Sequence, residues 1–217
     1  MQTEDNKVRS INERTAVLEP AIKFSRTIYT AVAAKASAAP QDGLPEVVMA
    51  GRSNAGKSSL INALANNGKL ARVSSNPGKT QLVVYFNVDQ KFYLTDLPGY
   101  GYARISLEKR SKLSSLANSY FIDGRPIKLV LLLIDIRHLP SEQDRQMCNF
   151  LNETEMPYVL VLNKADKLSR AQAGQNRQKI LKALSAENIP NFIVSTVNKA
   201  GIDDLKYFIT EHIVALG

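Results

Sequence analysis

The chain has 217 residues, of which 44% are hydrophobic, and a formal net charge of +8 at pH 7. Its single cysteine, Cys148, excludes an intrachain disulfide, and the absence of a run of about eighteen apolar residues argues against a transmembrane helix. Acidic and basic residues alternate at the N-terminus, which argues against a signal or transit peptide, so a cytoplasmic protein is expected. The basic excess permits binding to nucleic acid but does not require it.

Residues 1–43 are first mixed in charge and then rich in alanine. Alanine favours helix, so part of residues 21–38 is expected to be helical. Pro40 and Gly43 interrupt the pattern at the end of this stretch. We therefore predict an N-terminal extension over residues 1–43, partly helical or disordered, and a separate domain over residues 44–217.

From Pro45 onwards, short apolar runs alternate with stretches of helical spacing. Asp89 and Gln90 separate two of these runs and predict a tight hairpin. Strands that alternate with helices favour a mainly parallel sheet. We therefore predict an α/β fold with a six-stranded, mainly parallel sheet, one antiparallel edge strand, and helices on both faces. Strands are predicted at VVMA, QLVVYFNV, KFYLTD, KLVLLLID, YVLVL and NFIVS, and helices at residues 58–65, 105–121, 141–153, 169–188 and 203–216.

Polar or glycine residues stand at the carboxyl ends of the predicted strands. They are Gly51, Asp96, Asp135, Asn163 and Ser195. Ligands of such sheets bind beyond the carboxyl ends of the strands. This placement predicts a binding site at that end of the sheet.

The segment GRSNAGKS, residues 51–58, fits the pattern G-x-x-x-x-G-K-[ST] between a predicted strand and a predicted helix. Glycines in such a loop let backbone N–H groups surround phosphate oxygens, and the helix N-terminus attracts negative charge. Lys57 is expected to contact the β- and γ-phosphates, and the Ser58 hydroxyl to bind Mg²⁺. The alternative is a glycine-rich turn with an exposed lysine, which the strand–loop–helix context disfavours.

The segment DLPG, residues 96–99, follows the predicted strand KFYLT. An aspartate at this position suits a water-mediated contact with Mg²⁺, and the N–H of Gly99 can meet a γ-phosphate. Asp, Pro and Gly are also turn residues, so the alternative is a simple turn at the end of the strand. A preceding phosphate-binding loop favours the nucleotide interpretation.

The segment NKAD, residues 163–166, ends another predicted strand. Asp166 can accept hydrogen bonds from the N1–H and 2-amino groups of guanine, which adenine does not offer. Asn163 is expected to support the loop, and the stem of Lys164 to cover the purine face. At the end of the last predicted strand, the backbone N–H groups of residues 194–196 are expected to meet guanine O6.

A mobile loop is predicted at residues 71–81, because Pro77 and Gly78 lie within it. Thr80 stands just before a predicted strand and is a candidate second hydroxyl ligand of Mg²⁺ when a γ-phosphate is present. The order of these segments is that of a guanine-nucleotide switch.

The segments GRSNAGKSSLINAL, NPGKTQ, DLPGYGYA, DIRH and NKADKL together resemble those of the EngB-type GTPases of bacterial ribosome assembly, from about residue 45 to the C-terminus. The resemblance implies a Ras-like P-loop GTPase domain and GTP hydrolysis with Mg²⁺. It also implies a role in maturing the large ribosomal subunit, needed for normal cell division and septation. Its expected partners are the large-subunit precursor and its rRNA, contacted by a monomer without membrane insertion.

Site residues follow from the motifs and this resemblance. The candidate catalytic residues are Lys57 and Thr80, and the candidate metal ligands are Ser58 and Thr80. The candidate GTP- or GDP-binding residues are Gly51, Arg52, Ser53, Asn54, Ala55, Gly56, Lys57, Ser58, Gly78, Lys79, Thr80, Gln81, Leu82, Asp96, Leu97, Pro98, Gly99, Asn163, Lys164, Ala165, Asp166, Val194, Ser195 and Thr196.

Three positions leave the mechanism open. Tyr100 stands where Ras-type switches place a water-orienting Gln, so slow hydrolysis is expected unless another group orients water. Asn54 indicates K⁺ as a substitute charge by comparison with related GTPases, or it only shapes its loop. His138 is a further polar candidate, or a structural histidine.

Three functions compete. The chain is a GTPase whose turnover drives release from a ribosomal precursor, a GTP-dependent RNA-binding module whose hydrolysis only resets binding, or a membrane-associated regulator of division. The third is disfavoured because no lipidation motif or basic amphipathic anchor is visible. RNA binding is expected mainly through phosphates, with Lys109, Arg110, Lys112 and Arg137 as candidate contacts.

Overall fold

The computed structural model describes residues 22–34, 38–71, 82–100, 120–121 and 124–215. Within these ranges the strands form one sheet of seven. The strand Val83–Val88 lies antiparallel to both of its neighbours, and the remaining pairs are parallel. The strands are β1 (Thr27–Ala33), β2 (Glu46–Gly51), β3 (Val83–Val88), β4 (Phe92–Asp96), β5 (Ile127–Asp135), β6 (Tyr158–Asn163) and β7 (Asn191–Ile193), and their order in the sheet is β1-β3-β4-β2-β5-β6-β7.

Helices among the described residues cover both faces of this sheet. Alternate residues of a strand point to opposite faces. Leu131 of β5 therefore packs with the helices Lys57–Leu64 and Ile202–Val214, whereas Leu132 packs with the helices Glu142–Glu153 and Arg170–Leu184. The predicted α/β fold is therefore confirmed. No helix in these ranges is both long and apolar enough to cross a membrane. The helices are α1 (Lys57–Leu64), α2 (Glu142–Glu153), α3 (Arg170–Leu184) and α4 (Ile202–Val214), and short 3-10 turns lie at Phe24–Arg26 and Ala165–Lys167.

The helix starts follow from local side-chain chemistry. Ser141 caps α2 because its hydroxyl accepts a hydrogen bond from the Asp144 backbone N–H, and the Asp144 carboxylate accepts one from the Ser141 N–H. Ser169 and Gln172 form the same reciprocal pair at α3. The helix predicted over residues 105–121 lies outside the described residues, apart from two helical residues at its end.

The prediction of helix within residues 21–38 is wrong for Thr27–Ala33, which form strand β1. This segment pairs antiparallel with β3, and β-branched residues such as Ile28 and Val32 suit a pleated strand. Pairing with the sheet outweighs the helix propensity of the neighbouring alanines. Part of the predicted N-terminal extension is therefore an integral strand of the sheet.

The predicted strand count and edge are also wrong in detail. The sheet has seven strands among the described residues, because β1 adds to the outside of β3. The antiparallel strand β3 is consequently one position inside the edge. The predicted hairpin between β3 and β4 is correct: Asp89 and Gln90 both have positive φ angles, 49° and 57°, as a two-residue hairpin turn requires.

Candidate nucleotide-binding site

Four neighbouring strands end at the same end of the sheet. Strands β2, β4, β5 and β6 end at Gly51, Asp96, Asp135 and Asn163. The Asn163 side-chain N–H donates to the Ala55 carbonyl at 2.9 Å, which ties the end of β6 to the loop after β2. The strand ends therefore meet as the sequence predicts.

The predicted phosphate-binding loop connects β2 directly to α1. Asn54 and Gly56 have left-handed backbone φ angles of 64° and 101°. A Cβ atom at Gly56 would lie 2.2 Å from Asn163 Nδ2, so only glycine fits there. Such turns curve the backbone into a concavity that favours anions, here at the N-terminus of α1.

Lys57 and Asp96 place two opposite charges inside this part of the protein. Lys57 Nζ donates to the Gly51 carbonyl at 3.2 Å, and Ser58 Oγ donates to Asp96 Oδ2 at 3.2 Å. Burial lowers the pKa of Lys57 and raises the pKa of Asp96, although each charge favours the ionised form of the other. Among the described residues, no group donates a hydrogen bond to the buried Asp96 Oδ1. Both charges therefore have capacity for a further partner.

The segment 96–100 lies against the phosphate-binding loop. A Cβ atom at Gly99 would lie 2.8 Å from Ser53 N and 2.9 Å from Lys57 Nζ. The Ser53 N–H donates to the Tyr100 carbonyl at 3.1 Å, and Arg52 forms an isolated parallel bridge with Tyr100. Gly99 thus sits next to the lysine that the sequence assigns to the γ-phosphate.

The side-chain hydroxyl of Tyr100 is bound to the start of α2. Its O–H donates to Asp144 Oδ1 at 3.0 Å, and burial together with the Asp144 carboxylate raises the pKa of Tyr100 well above its usual value. Asp144 also accepts the hydrogen bond from the Ser141 N–H that completes the cap of α2. The Tyr100 hydroxyl is therefore a neutral donor committed to a helix end, a contact that the sequence analysis missed.

The NKAD segment and the loop after β7 are joined through Asp166. Ser195 Oγ donates to Asp166 Oδ1 at 2.8 Å, and Lys167 Nζ lies 3.3 Å from Asp166 Oδ2. The hydrogen bond from Ser195 is the main cause of a lowered pKa of Asp166. The Asp166 carboxylate is thus an ionised acceptor with a fixed orientation.

The structure reduces the number of backbone N–H groups that could donate to guanine O6. The N–H of Val194 already donates to the Leu162 carbonyl at 2.9 Å, and that of Ser195 to the Ala200 carbonyl at 3.0 Å. The N–H of Thr196 makes no hydrogen bond to the described residues. Of the three predicted donors, Thr196 is the one that is left for a base.

Lys164 contacts a residue to which the sequence assigned no role. It adopts a left-handed backbone conformation, and its Nζ lies 2.9 Å from Asp135 Oδ2. The register of two parallel strands brings these positions together, because Asp135 pairs with Asn163. Two signals in the sequence pointed to Asp135: its position at a strand end and its place in the segment DIRH.

A cavity of about 180 Å³ lies beside the phosphate-binding loop. Asn54 and His138 line this cavity together with Asp135 and Asp144. The His138 N–H donates to the Asp135 carbonyl at 3.2 Å, so His138 belongs to the turn after β5. Both side chains lie near the loop, and neither role proposed for them is tested by this geometry.

Several predicted residues lie outside the described part of the chain. They include Gly78, Lys79, Thr80 and Gln81 of the threonine loop, and the candidate RNA contacts Lys109, Arg110 and Lys112. Leu82 is described and is 38% exposed just before β3. Leu97 and Pro98 are buried between Asp96 and Gly99.

Comparison with known proteins places this site in a family. Residues 46–164 match the family model described as a 50S ribosome-binding GTPase. The chain is 44% identical over 173 residues to the probable GTP-binding protein EngB of Streptococcus pyogenes serotype M28 (strain MGAS6180), which covers 79% of this chain and 87% of the relative.

Solved structures share the same fold. The crystal structure of a probable GTP-binding protein EngB superposes with a TM-score of 0.66 at 23% identity, over 78% of this chain and 99% of the other. An Aquifex aeolicus Era variant bound to GDP and AlF4⁻ superposes with a TM-score of 0.63 at 21% identity, over 77% of this chain and 56% of the other. The fold is thus that of a Ras-like P-loop GTPase. Together with the family model and the curated relative, it shows that the chain belongs to the EngB family of GTP-binding proteins, a family of GTP hydrolases.

Proposed function

We propose that this protein binds GTP with Mg²⁺ in the cytoplasm, hydrolyses it slowly on its own, and acts in assembly of the large ribosomal subunit. Normal cell division and septation depend on that role. One observation carries the nucleotide part: an oriented acceptor, Asp166, lies at the same end of the sheet as the buried charges Lys57 and Asp96.

Asp166 supplies the choice of base. Ser195 orients its carboxylate at 2.8 Å and keeps it ionised. Guanine presents N1–H and the 2-amino group as adjacent donors to such an acceptor, whereas adenine presents neither. A carboxylate left unpaired beneath a bound base costs about 1–3 kcal/mol or more. Asp166 therefore favours guanine over adenine.

The residues at the phosphate end fit a Mg²⁺ ion. Hydroxyl and carboxylate oxygens are the ligands that Mg²⁺ prefers, and Asp96 Oδ1 is buried with no hydrogen bond from the described residues. Ser58 would hold the ion directly, Thr80 would add a second hydroxyl, and Asp96 would act through a water. When bound, the ion neutralises charge on the phosphate oxygens.

Lys57 supplies the fixed cation of the phosphate subsite. Burial lowers its pKa, and the negative charge of a phosphate opposes this effect. The ammonium group is therefore best stabilised when a nucleotide is present. Because Gly99 lies next to Lys57 Nζ, a γ-phosphate that reaches this lysine displaces the segment 96–100. This displacement would report the presence of GTP to the rest of the protein.

Slow hydrolysis follows from the position of Tyr100. Its hydroxyl donates to Asp144 at 3.0 Å, so it is not available to orient a water molecule. No amide side chain replaces the Gln of Ras-type switches at this position. A ribosomal partner, or K⁺ near Asn54, would accelerate hydrolysis in place of the absent Gln.

The proposed partners are the large-subunit precursor and its rRNA, bound by a monomer. The support is the net charge of +8 and the name of the matching family model. Basic side chains bind RNA mainly through phosphates, so affinity is expected to fall linearly with salt on a log–log plot. Arg137 is the candidate contact that lies within the described residues.

GTP turnover with and without large-subunit precursor particles tests the proposal. We expect particles to accelerate phosphate release, and GTP to favour association over GDP. Asp166→Asn is the matched control, because it is expected to respond to XTP instead. Equal association in both nucleotide states, with no stimulation of turnover, would contradict the proposal.

A second candidate is a GTP-dependent RNA-binding module in which hydrolysis only resets binding. The hydrogen bond from the Tyr100 hydroxyl to Asp144 favours this candidate, because the Tyr100 side chain is then not available to promote hydrolysis. The same assay separates the two candidates. The module requires association with the particle but no acceleration of turnover by it.

A further inference from the structure

Lys164 and Asp135 form an ion pair next to the proposed base-binding residues. Lys164 Nζ lies 2.9 Å from Asp135 Oδ2, and the two side chains are only 26% and 19% exposed. Such partial burial weakens screening by solvent and salt. The contact therefore restricts the Lys164 side chain more than an exposed surface pair would.

Asp135 is itself held firmly in place. Arg137 donates to Oδ1 from its backbone N–H at 3.1 Å and from Nε at 2.9 Å, and to Oδ2 from Nη2 at 2.7 Å. Burial raises the pKa of Asp135, but the hydrogen bonds from Arg137 and Lys164 prevail and hold that pKa well below its ordinary value. The carboxylate is thus a charged group of fixed orientation.

The backbone fixes the distance between the two strand ends. The Ile136 N–H donates to the Asn163 carbonyl at 3.0 Å, and the Asn176 side chain donates to the Ile136 carbonyl at 2.9 Å. The ends of β5 and β6 are therefore locked side by side and also tied to α3. Asp135 is accordingly placed to act on Lys164 through a rigid frame.

We propose that Asp135 is a positioning residue that holds the Lys164 ammonium group so that the lysine stem lies over the face of a bound guanine. This inference rests on the proposed role of Lys164 in the base site. Asp135 acts through Lys164 and does not itself touch the nucleotide. The affinity for guanine nucleotides would thereby depend on the turn after β5, which holds Asp135.

A double-mutant cycle tests the inference in the full chain. The variants are Asp135→Asn, Lys164→Met, which keeps the stem but loses the charge, and their combination. The readout is the dissociation rate of fluorescent GDP and GTP. We expect Asp135→Asn to accelerate dissociation of both nucleotides about tenfold, and to have little further effect in the Lys164→Met background. Discrimination against ATP is expected to persist, because Asp166 is unchanged.

Two further variants make the result specific. Asp135→Glu retains the charge and is expected to restore most of the slow dissociation. Asp203→Asn removes an aspartate that is 95% exposed and pairs with Lys206 on α4, and it is expected to change nothing. Thermal unfolding of each variant separates a loss of folding from a loss of positioning.

The outcomes that overturn the inference are distinct. If Asp135→Asn accelerates dissociation equally in both backgrounds, Asp135 does not act through Lys164. If its effect disappears with Arg137→Gln but persists with Lys164→Met, Asp135 only folds its own turn. If the unmodified protein does not prefer guanine nucleotides, the proposed function itself fails, and this inference fails with it.

Discussion

The base end and the phosphate end of the site differ in how their charged groups are satisfied. At the base end, Asp166 is held by Ser195, and Lys164 is held by Asp135. At the phosphate end, Asp96 is buried with one oxygen lacking any hydrogen bond from the described residues. Gly99 lies there against the loop that the sequence assigns to phosphates.

This difference separates two tasks. A subsite whose side chains are already oriented can recognise a base without rearrangement, and we propose that this end determines which nucleotide binds. A subsite with buried charges that are only partly satisfied gains most from its ligand, because the ligand offsets a desolvation cost that the protein already carries. We therefore propose that the phosphate end makes the conformation depend on the bound nucleotide.

Asp166→Asn is expected to have the largest effect, because it changes the preformed end. The variant places an NH₂ donor against the donors of guanine, which costs on the order of a hundredfold in GTP affinity. Xanthine carries a carbonyl at position 2, to which the new amide can donate. Competition binding with GTP, XTP and ATP should show a shift toward XTP.

The same variant distinguishes base recognition from loop stability. If Asp166 merely caps its loop, GTP, XTP and ATP would weaken together and thermal stability would fall. A folded Asp166→Asn protein that still prefers GTP over XTP would contradict the base-reading role. The preformed orientation of Asp166 would then not explain which base the protein selects.

Ser58→Ala tests the phosphate end. The hydroxyl donates to Asp96 at 3.2 Å and is the proposed direct ligand of Mg²⁺. Its loss is expected to weaken GTP binding on the order of thirtyfold, or about 2 kcal/mol, in the presence of Mg²⁺. Titration of GTP with and without Mg²⁺ measures the effect. Ser59→Ala, the neighbouring serine of α1, is the control, and equal losses in both variants would argue against the assignment.

Ser195→Ala loosens the base end without changing its charge. Because Ser195 lowers the pKa of Asp166, the variant raises that pKa toward its ordinary value. Guanine binding needs the ionised carboxylate, so it is present above this pKa and lost as pH falls through it. We expect GDP affinity to fall about tenfold at neutral pH and its acid limit to move to higher pH. An unchanged acid limit would contradict the assignment.

Local patterns in the sequence predicted most of the fold, and they predicted that the candidate site residues lie at one end of the sheet. Continuous apolar runs predicted the buried strands, and Asp89 and Gln90 predicted the hairpin. The segment 51–58 lies between a strand and a helix, as predicted, and its contact with phosphate stays a prediction. Strand β1 was mispredicted because its alanines favour helix, whereas its partner β3 lies far along the chain, with pairs from Ala33–Val83 to Thr27–Val88. Helix propensity is a local quantity, and strand pairing is not.

Side-chain contacts between distant segments were the other feature that escaped sequence reasoning. The hydrogen bond between Tyr100 and Asp144 joins residues 44 positions apart, and Asp135 meets Lys164 only through strand register. No periodicity or motif encodes such pairs. They connect the nucleotide site to the helices around it, so they are where the structure adds most to the functional argument.

Tyr100→Phe is expected to have the smallest effect and sharpens the contrast between the two ends. The hydroxyl bond to Asp144 helps to hold the segment 96–100 against the phosphate-binding loop. In the proposed function GTP displaces this segment, whereas GDP lacks the phosphate that competes with Gly99. Loss of one hydrogen bond, about 1 kcal/mol, should therefore raise GTP affinity relative to GDP about fivefold.

Paired titrations with both nucleotides measure this ratio, and Tyr207→Phe, whose tyrosine is 68% exposed on α4, is the control. An equal change in GTP and GDP affinity would show that Tyr100 supports the fold of the site but does not oppose the γ-phosphate.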